Sequence, residues 1–373
     1  MRIYLVTLPI LLSAMSCSKN IKESSSEKVS IISEGKTPID LNNVFKNVEI
    51  VPLKGDVLIG SIRNIIYSEN FFYVHDGKIG DIKVYDKNLS YIKSIDHAGI
   101  GPGQYRKIDR LMIRKDGIYV FSNLQASILK YTLDGEFIEK IRLDNFPYQV
   151  SAIGNGFLSF DNFNPNKQKG NFNLTIWNDK GRIAYQAEPY SLKLKRLVGY
   201  SGGVTKSLTN ETLVYYNPPL SDTIHIYNEK LELKGEYLFD GLIKNPVEGG
   251  VYAKSFNTES RNNFGHIAPL LSVFEPYLWV LYKDPPYLKT AFVDLNQQTF
   301  HRLKNIVSSD LSALVNNVKT TDDDGYFYST PNAFFSKEWE IFKETALSQG
   351  LSLEQTQSEE FQFVVKFKTS PAK

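Results

Sequence analysis

Gly99-Ile100-Gly101-Pro102-Gly103-Gln104-Tyr105 has a composition that could do chemistry, because glycines let backbone N–H groups approach an anion. Phosphate loops of that kind open a helix and carry a Lys-Ser/Thr pair. Here the strand-like run Ile108 to Ile113 follows and the pair is absent, so a tight connection needing positive φ at glycine is the better account. Asp322-Asp323-Asp324-Gly325 suggests calcium, yet Thr320, Asp322 and Asp324 with Pro331 at the closing position lack the alternating ligands and final glutamate of a calcium loop. A hairpin turn fits those residues better. The histidines His75, His97, His225, His266 and His301 are scattered outside any His-Glu-x-x-His pair, and no Gly-x-Ser-x-Gly elbow is present. Cys17 is the only cysteine, which leaves no donors for disulfides or cysteine-ligated metal. Tyr215, Tyr216, Trp279, Tyr282 and Trp339 could stack on sugar rings, although aromatics in strands ordinarily fill packing between sheets. No catalytic residue, metal ligand or cofactor is assigned from these patterns, and the ligand-binding residues stay open.

The elements that would position such groups announce themselves by repetition. Ile82-Lys83-Val84-Tyr85 leads through a polar turn to Tyr91-Ile92-Lys93-Ser94-Ile95. At an offset of 128 − 82 = 46 residues, Ile128-Leu129-Lys130-Tyr131 leads through Asp134-Gly135 to Phe137 to Ile141. A further 46 residues carries Tyr131 to Trp177 and Gly135 to Gly181, and another copy, Thr223 to Tyr227, follows at 227 − 177 = 50. Alternating apolar repeats of this length are the signature of propeller blades, small antiparallel sheets that bury their faces against neighbours.

Six blades are expected. They cover Leu58 to Ile95, Ile108 to Leu143, Gln149 onward through Leu174 to Trp177, Val204 to Phe239, Leu270 to Leu303, and a last one from Leu314 to Phe367. The last blade has only three strands, Leu314 to Val318, Tyr326 to Ser329 and Phe361 to Phe367, whereas Val48 to Leu53 is a strand without a blade. Pairing the two removes both open edges and closes the ring. An insertion at 331–360 interrupts the last blade, with a helix predicted from Ser336 to a stop at Gly350 and a capping box at Ser352-Leu353-Glu354-Gln355 for a shorter second one. Lys244 to Gly265 reads as a long surface loop. The expected fold is thus all-β, a six-bladed β-propeller closed by an N-terminal strand.

A hydrophobic share of 42% supplies a core for one large domain, and 43 basic against 41 acidic residues leave no charged face for nucleic acid. Arg2 and the apolar run Ile3 to Leu12, ending in Ser13-Ala14-Met15-Ser16-Cys17, read as a signal peptide too short to span a bilayer as a helix. Its end resembles the bacterial lipobox, which implies Cys17 as the lipid-attachment residue; ordinary cleavage nearby is the alternative. Residues 18–36, polar and including Ser24-Ser25-Ser26, read as a flexible tether, with the propeller over 37–373.

The Gly99 to Tyr105 loop, Ile50-Val51-Pro52-Leu53, Ile59-Gly60-Ser61-Ile62 and Asp134-Gly135-Glu136-Phe137-Ile138 together resemble the six-bladed β-propeller lipoproteins of Bacteroidota, related in fold to NHL and TolB-like propellers. Gln104 departs from the glutamate frequent there, and Phe361-Gln362-Phe363 from an Asn-Pro before the last strand. The resemblance implies a protein anchored in the cell envelope, at the outer membrane, and no particular reaction. The function expected is a non-catalytic binding or scaffolding module for a peptide, glycan or partner protein, including a membrane uptake channel. The alternative is a propeller hydrolase or lyase with a metal or acid/base site at the central channel. The helical insertion is expected to cover one channel mouth or to dock a partner.

Overall fold

Short alternating apolar runs cannot bury a face alone, so they pair into antiparallel sheets that stack on one another. The computed structural model describes residues 28–144, 146–163, 170–190, 203–210, 212–219, 221–243, 266–268, 272–284, 287–330, 336–352 and 363–370. The first blade takes Ile62–Ser68, Phe71–Asp76, Ile82–Asp86 and Tyr91–Ile95 from inside to outside. The second takes Arg110–Arg114, Gly117–Ser122, Ser127–Tyr131 and Phe137–Arg142, and the third Gln149–Ile153, Gly156–Phe160, Phe172–Trp177 and Ile183–Pro189. A closing blade pairs Val318–Thr321, Phe327–Ser329 and Phe363–Thr369 with Phe45–Pro52 as its outer strand.

A local hydrogen-bond device explains the repeat. The turn between third and fourth strands is built on Asp86, Asn178 or Asn228, whose Oδ1 accepts two backbone N–H groups, two and four residues on. Thr132 does the same with its hydroxyl toward the Glu136 amide, at 3.0 Å. Three residues past each of these the backbone turns left-handed, at Leu89, Gly135, Gly181 and Leu231. Leu89 and Leu231 adopt it despite their side chains because both are buried. A register shift precedes each turn, at Tyr85, Tyr131, Trp177 and Tyr227.

The expectation of six separate blades is overturned. Hydrogen bonding among the described residues gives four four-stranded blades, one ten-stranded sheet and a short two-stranded ladder of Ile39–Asp40 with Ile306–Val307. The fusion is made by Val29–Glu34, which pairs in parallel with Leu233–Phe239 through Val29↔Glu236 to Ile32↔Phe239, and with Thr299–Arg302 through Ser33↔Thr299 and Glu34↔Phe300. It thereby joins Gly203–Lys206, Val214–Asn217, Thr223–Tyr227 and Leu233–Phe239 to Tyr287–Asp294, Tyr277–Asp284, Ser272–Phe274 and His266–Ile267. Two adjacent outer edges, each with free N–H and C=O groups, are satisfied together by one inserted strand. The same finding corrects the tether, whose expected span of 18–36 includes this strand. Residues 1–27, with Cys17 and the signal segment, lie outside the described residues.

A second correction concerns the last blade. Leu314 to Val318 is not a strand; helix Ser309–Val315 ends there and the strand starts at Val318. Leu311, Leu314 and Val315 have helical spacing and bury one face, a period that so short an apolar run does not distinguish from a strand. The pairing of the N-terminal strand with the last strand is present, from Phe363↔Pro52 to Thr369↔Phe45. Helix Ser336–Ser348 is also present, followed by Gly350 at φ 88. Its Phe342 and Ala346 pack into the closing-blade core, and the Gln349 side chain bonds the Ile50 amide and the Val48 carbonyl at 2.8 and 3.0 Å. The second helix expected at Ser352 to Gln355 and the loop expected at Lys244 to Gly265 fall almost wholly outside the described residues.

Apolar clusters join each sheet to the next. Tyr73 and Val84 meet Leu111 and Val120; Met112 and Ile128 meet Val150 and Trp177; Leu158 meets Val214; Phe274 and Phe292 meet Phe45 and Phe367; Tyr328 and Val364 meet Phe72. These contacts run full circle and leave a channel where the innermost strands face each other. Among the described residues no helix is long and apolar enough to cross a membrane.

Candidate functional site

The innermost strand of every blade, and both ends of the ten-stranded sheet, open onto one chamber of about 940 Å³. The apolar residues of these strands, such as Ile65, Leu111, Val150, Val204 and Val273, turn between sheets and are buried. Leu111, Val204 and Val273 still border the chamber, whose wall alternates apolar with polar positions such as Asn64, Gln149, Ser151, Thr205 and Ser272.

At the end where the innermost strands begin, three cations from three sheets line the chamber: Arg63 of the first blade, Arg110 of the second and Lys319 of the closing blade. Arg63 is exposed, whereas Arg110 and Lys319 are half-buried. Among the described residues none of the three has an ion-pair partner. Burial and the nearby Arg63 charge lower the Arg110 pKa, and burial together with Arg110 brings the Lys319 amine down to about 8. Behind the arginines, His75 is buried and its pKa falls to about 4, through desolvation first and then the Arg63 and Arg110 charges, so the ring is neutral at neutral pH. Gln149 is committed to the wall, donating to the Val204 carbonyl at 2.9 Å.

The opposite end, at the hairpins that follow the innermost strands, carries Glu69, Asp116, Asp322 and Asp323. Three of these acids are engaged. Asp116 is paired with Arg114 and Lys130 at 3.2 and 3.0 Å, Asp322 holds its own turn through the Asp324 and Tyr326 amides, and Asp323 accepts from the Tyr67 hydroxyl at 3.0 Å. Among the described residues Glu69 is the acid left without a partner, against Arg63, Arg110 and Lys319, so the unpartnered charge of these groups is on balance positive.

That arrangement has a measurable cost. A lysine held near 8 in the folded state, against 10.5 unfolded, makes the native state carry a disfavoured charge below pH 8, and stability should rise as pH climbs from about 8 to 10.5. Lys319→Met is expected to stabilise the ligand-free protein at pH 7 by about 1–2 kcal/mol, after discounting for water in the channel, and to flatten that rise. Denaturant unfolding at pH 7 and pH 10 checks both.

The groups singled out in the sequence are distributed otherwise. The glycine loop is a turn. The Gly101 amide donates to Gln104 Oε1 at 2.7 Å, and a side chain at Gly103, φ 73, would meet Phe137 at 2.6 Å. Asp322 to Gly325 is the hairpin expected, with Gly325 at φ 74. Tyr215, Tyr216, Trp279 and Tyr282 are core residues, and Trp339 stacks on Phe342 with ring centroids 5.2 Å apart. His97 bonds the Gly135 carbonyl at 2.6 Å, and His225 lies between Glu188 and Glu236 at 2.7 and 3.5 Å. Among the described residues no three His, Cys, Asp or Glu side chains are grouped to hold a metal. Helix Ser336–Ser348 packs on the outer strand of the closing blade and none of its residues lines the chamber, while residues 331–335 and 353–360 of the insertion lie outside the described residues. Sequence reading passed over Arg63, Arg110 and Lys319. Their one signal is a basic residue within the first two positions of an innermost strand.

A family described as Domain of unknown function (DUF4934) matches residues 26–366. The chain belongs to this family. The DUF4934 protein shares its propeller-like fold with a protein of Bacteroides fragilis NCTC 9343 described as exported. That pair is 15% identical over 92% of this chain and 100% of the other, with a TM-score of 0.66. A member of the DUF4221 family from Bacteroides vulgatus ATCC 8482 is 10% identical, with 89% and 100% covered and a TM-score of 0.50. Virginiamycin B lyase from Staphylococcus aureus is 12% identical, with 87% and 99% covered and a TM-score of 0.42. At these identities the likeness is one of fold. No curated protein matches the chain.

Proposed function

We propose that this DUF4934 protein is an exported binding module, anchored in the outer membrane through Cys17, that takes a small polar ligand into its central chamber. The observation that carries the reading is the chamber itself. Strands from every blade and from the ten-stranded sheet converge on a space of about 940 Å³, within the size range of small-molecule sites, roughly 300–1,000 Å³. Polar groups there are presented by a rigid ring instead of mobile loops, which lowers the entropy cost of holding a ligand. Export is supported by the signal-like segment ahead of Cys17 and by the fold shared with a Bacteroides protein described as exported.

Catalysis is the second reading, and Lys319 favours it: an amine brought down to about 8 is partly neutral near pH 8 and able to act as a base or nucleophile. A thermal-shift screen of small molecules tests the chamber, using wild type beside Ser151→Trp, which fills it from the third blade. Ligands that raise the melting temperature of wild type should leave Ser151→Trp unmoved. A ligand that stabilises both equally would place binding elsewhere and end the chamber reading, and turnover of a hit would favour the enzyme. In a bacterial host, Cys17→Ser should move the protein from the membrane to the soluble fraction; unchanged fractionation would remove the lipid anchor.

A further inference from the structure

We infer that the ligand of the chamber is a multiply charged small oxyanion, a phosphorylated or polycarboxylate compound, seated between Arg63, Arg110 and Lys319. The inference rests on the reading of the chamber as the ligand site and adds the chemical class that site accepts.

Three observations carry it. Arg63, Arg110 and Lys319 come from three different sheets and from distant parts of the chain, yet they line the same end of one chamber. No local turn or capping need accounts for them together. A half-buried cation without a carboxylate is costly, and an ion pair would be the ordinary remedy. Along the same channel Asp116 and Arg114 show that remedy in place, at 3.2 Å. The cations at the other end instead face open chamber, so their partner is a group that arrives from solution.

The shape of the donors sets the class. Two guanidinium groups offer planar forks that match carboxylate or phosphate oxygens two at a time, and the lysine adds a point charge. Three cations call for more than one negative charge on the ligand. His75, neutral behind the arginines, adds no charge of its own. Lys319 ties occupancy to pH. Its protonation near 8 is opposed by burial first and then by Arg110, so a bound anion should restore its charge and take up a proton at about that pH. Glu69, Lys115, Asp116, Asp322 and Asp323 belong to the other end of the chamber.

The test is isothermal titration of the full-length protein in detergent at low salt, with pyrophosphate, citrate and the neutral trisaccharide maltotriose as probes. Pyrophosphate or citrate should bind, weaken as salt rises, and weaken about tenfold or more in either Arg110→Ala or Lys319→Met. Arg110→Lys should recover part of the loss, which a merely structural role would not show, and Ser151→Trp should block binding. Circular dichroism melts of each variant establish that it is folded. Absence of binding by both oxyanions overturns the inference. So does oxyanion binding that Arg110→Ala, Lys319→Met and Ser151→Trp all leave intact. Maltotriose binding that Ser151→Trp blocks, without oxyanion binding, would overturn the ligand class while the chamber reading stands. Failure of every probe would count against both.

Discussion

A chain that begins at Gly35 is expected to lose most of its stability relative to one that begins at Lys28. Of the seven residues removed, Val29–Glu34 form an internal strand of the ten-stranded sheet, with ladders on both sides. Ile32 is fully buried among Phe239, Phe300 and Val293, and deleting a side chain of that kind costs about 2–5 kcal/mol. Glu34 accepts from Arg302 and Asn305 at 2.7 and 3.1 Å, and Arg302 also bonds the Gly241 carbonyl, so that corner loses its tie as well. Each ladder bond lost adds about 1 kcal/mol, and the two exposed edges become sites for pairing between chains. Against a usual total of about 5–15 kcal/mol, the truncation should leave the sheet unfolded or aggregating. Denaturant unfolding and size-exclusion profiles of the two chains decide it. Equal midpoints and a monomeric profile for the shorter one would show that Val29–Glu34 is dispensable. The consequence is practical: a soluble form must retain residues that composition alone would discard as tether.

Asp76→Ala is expected to destabilise the first blade by about 3–5 kcal/mol. Asp76 is fully buried at the end of its strand. Its carboxylate accepts from the Gly60, Ser61, Lys78 and Ile79 amides at 2.7, 3.2, 2.9 and 3.1 Å, and lies 3.7 Å from the buried Lys83 ammonium. Removing it orphans four amides in one step, and orphaned buried donors cost about 1–3 kcal/mol each where water does not reach them. Lys83 keeps Asp81 at 2.7 Å, which limits the loss to the amide cradle and half of the charge pairing. The pH dependence follows from the same geometry. Burial raises the Asp76 pKa, but the Ile79, Gly60 and Lys78 amides and Lys83 outweigh it and hold the group below 3.8. Its contribution is therefore complete above about pH 4 and disappears as pH falls through the lowered folded value. Acid titration of stability should show that decline in wild type and lack it in Asp76→Asn. An identical acid limb in both would assign the decline to other carboxylates.

The strands and turns of the repeats were legible because the interactions that make them are local. An Asp or Asn that binds amides two and four residues ahead, a left-handed residue three ahead and alternating apolar positions all act within about ten residues, so Asp86, Asn178 and Asn228 mark their hairpins without help from the rest of the chain. The pairing of Val48 to Leu53 with the last strand was legible for a different reason: two unsatisfied edges in one chain have few ways to be satisfied. Leu314 to Val318 misled because a short apolar run fits both helix and strand periods, and only Phe342 and the closing-blade core select the helix.

By itself, then, the sequence determined an all-β chain of repeated four-strand units, the strand that completes the closing blade and the helix inserted in that blade. Tertiary structure alone decided two things. Val29–Glu34, with three of its six residues exposed and a composition close to that of a linker, is a strand only because two outer edges lie on either side of it. Arg63, Arg110 and Lys319 are ordinary basic residues until ring closure sets their strands around one chamber. Both depend on partners more than two hundred residues away, and no local pattern encodes a neighbour that folding alone supplies.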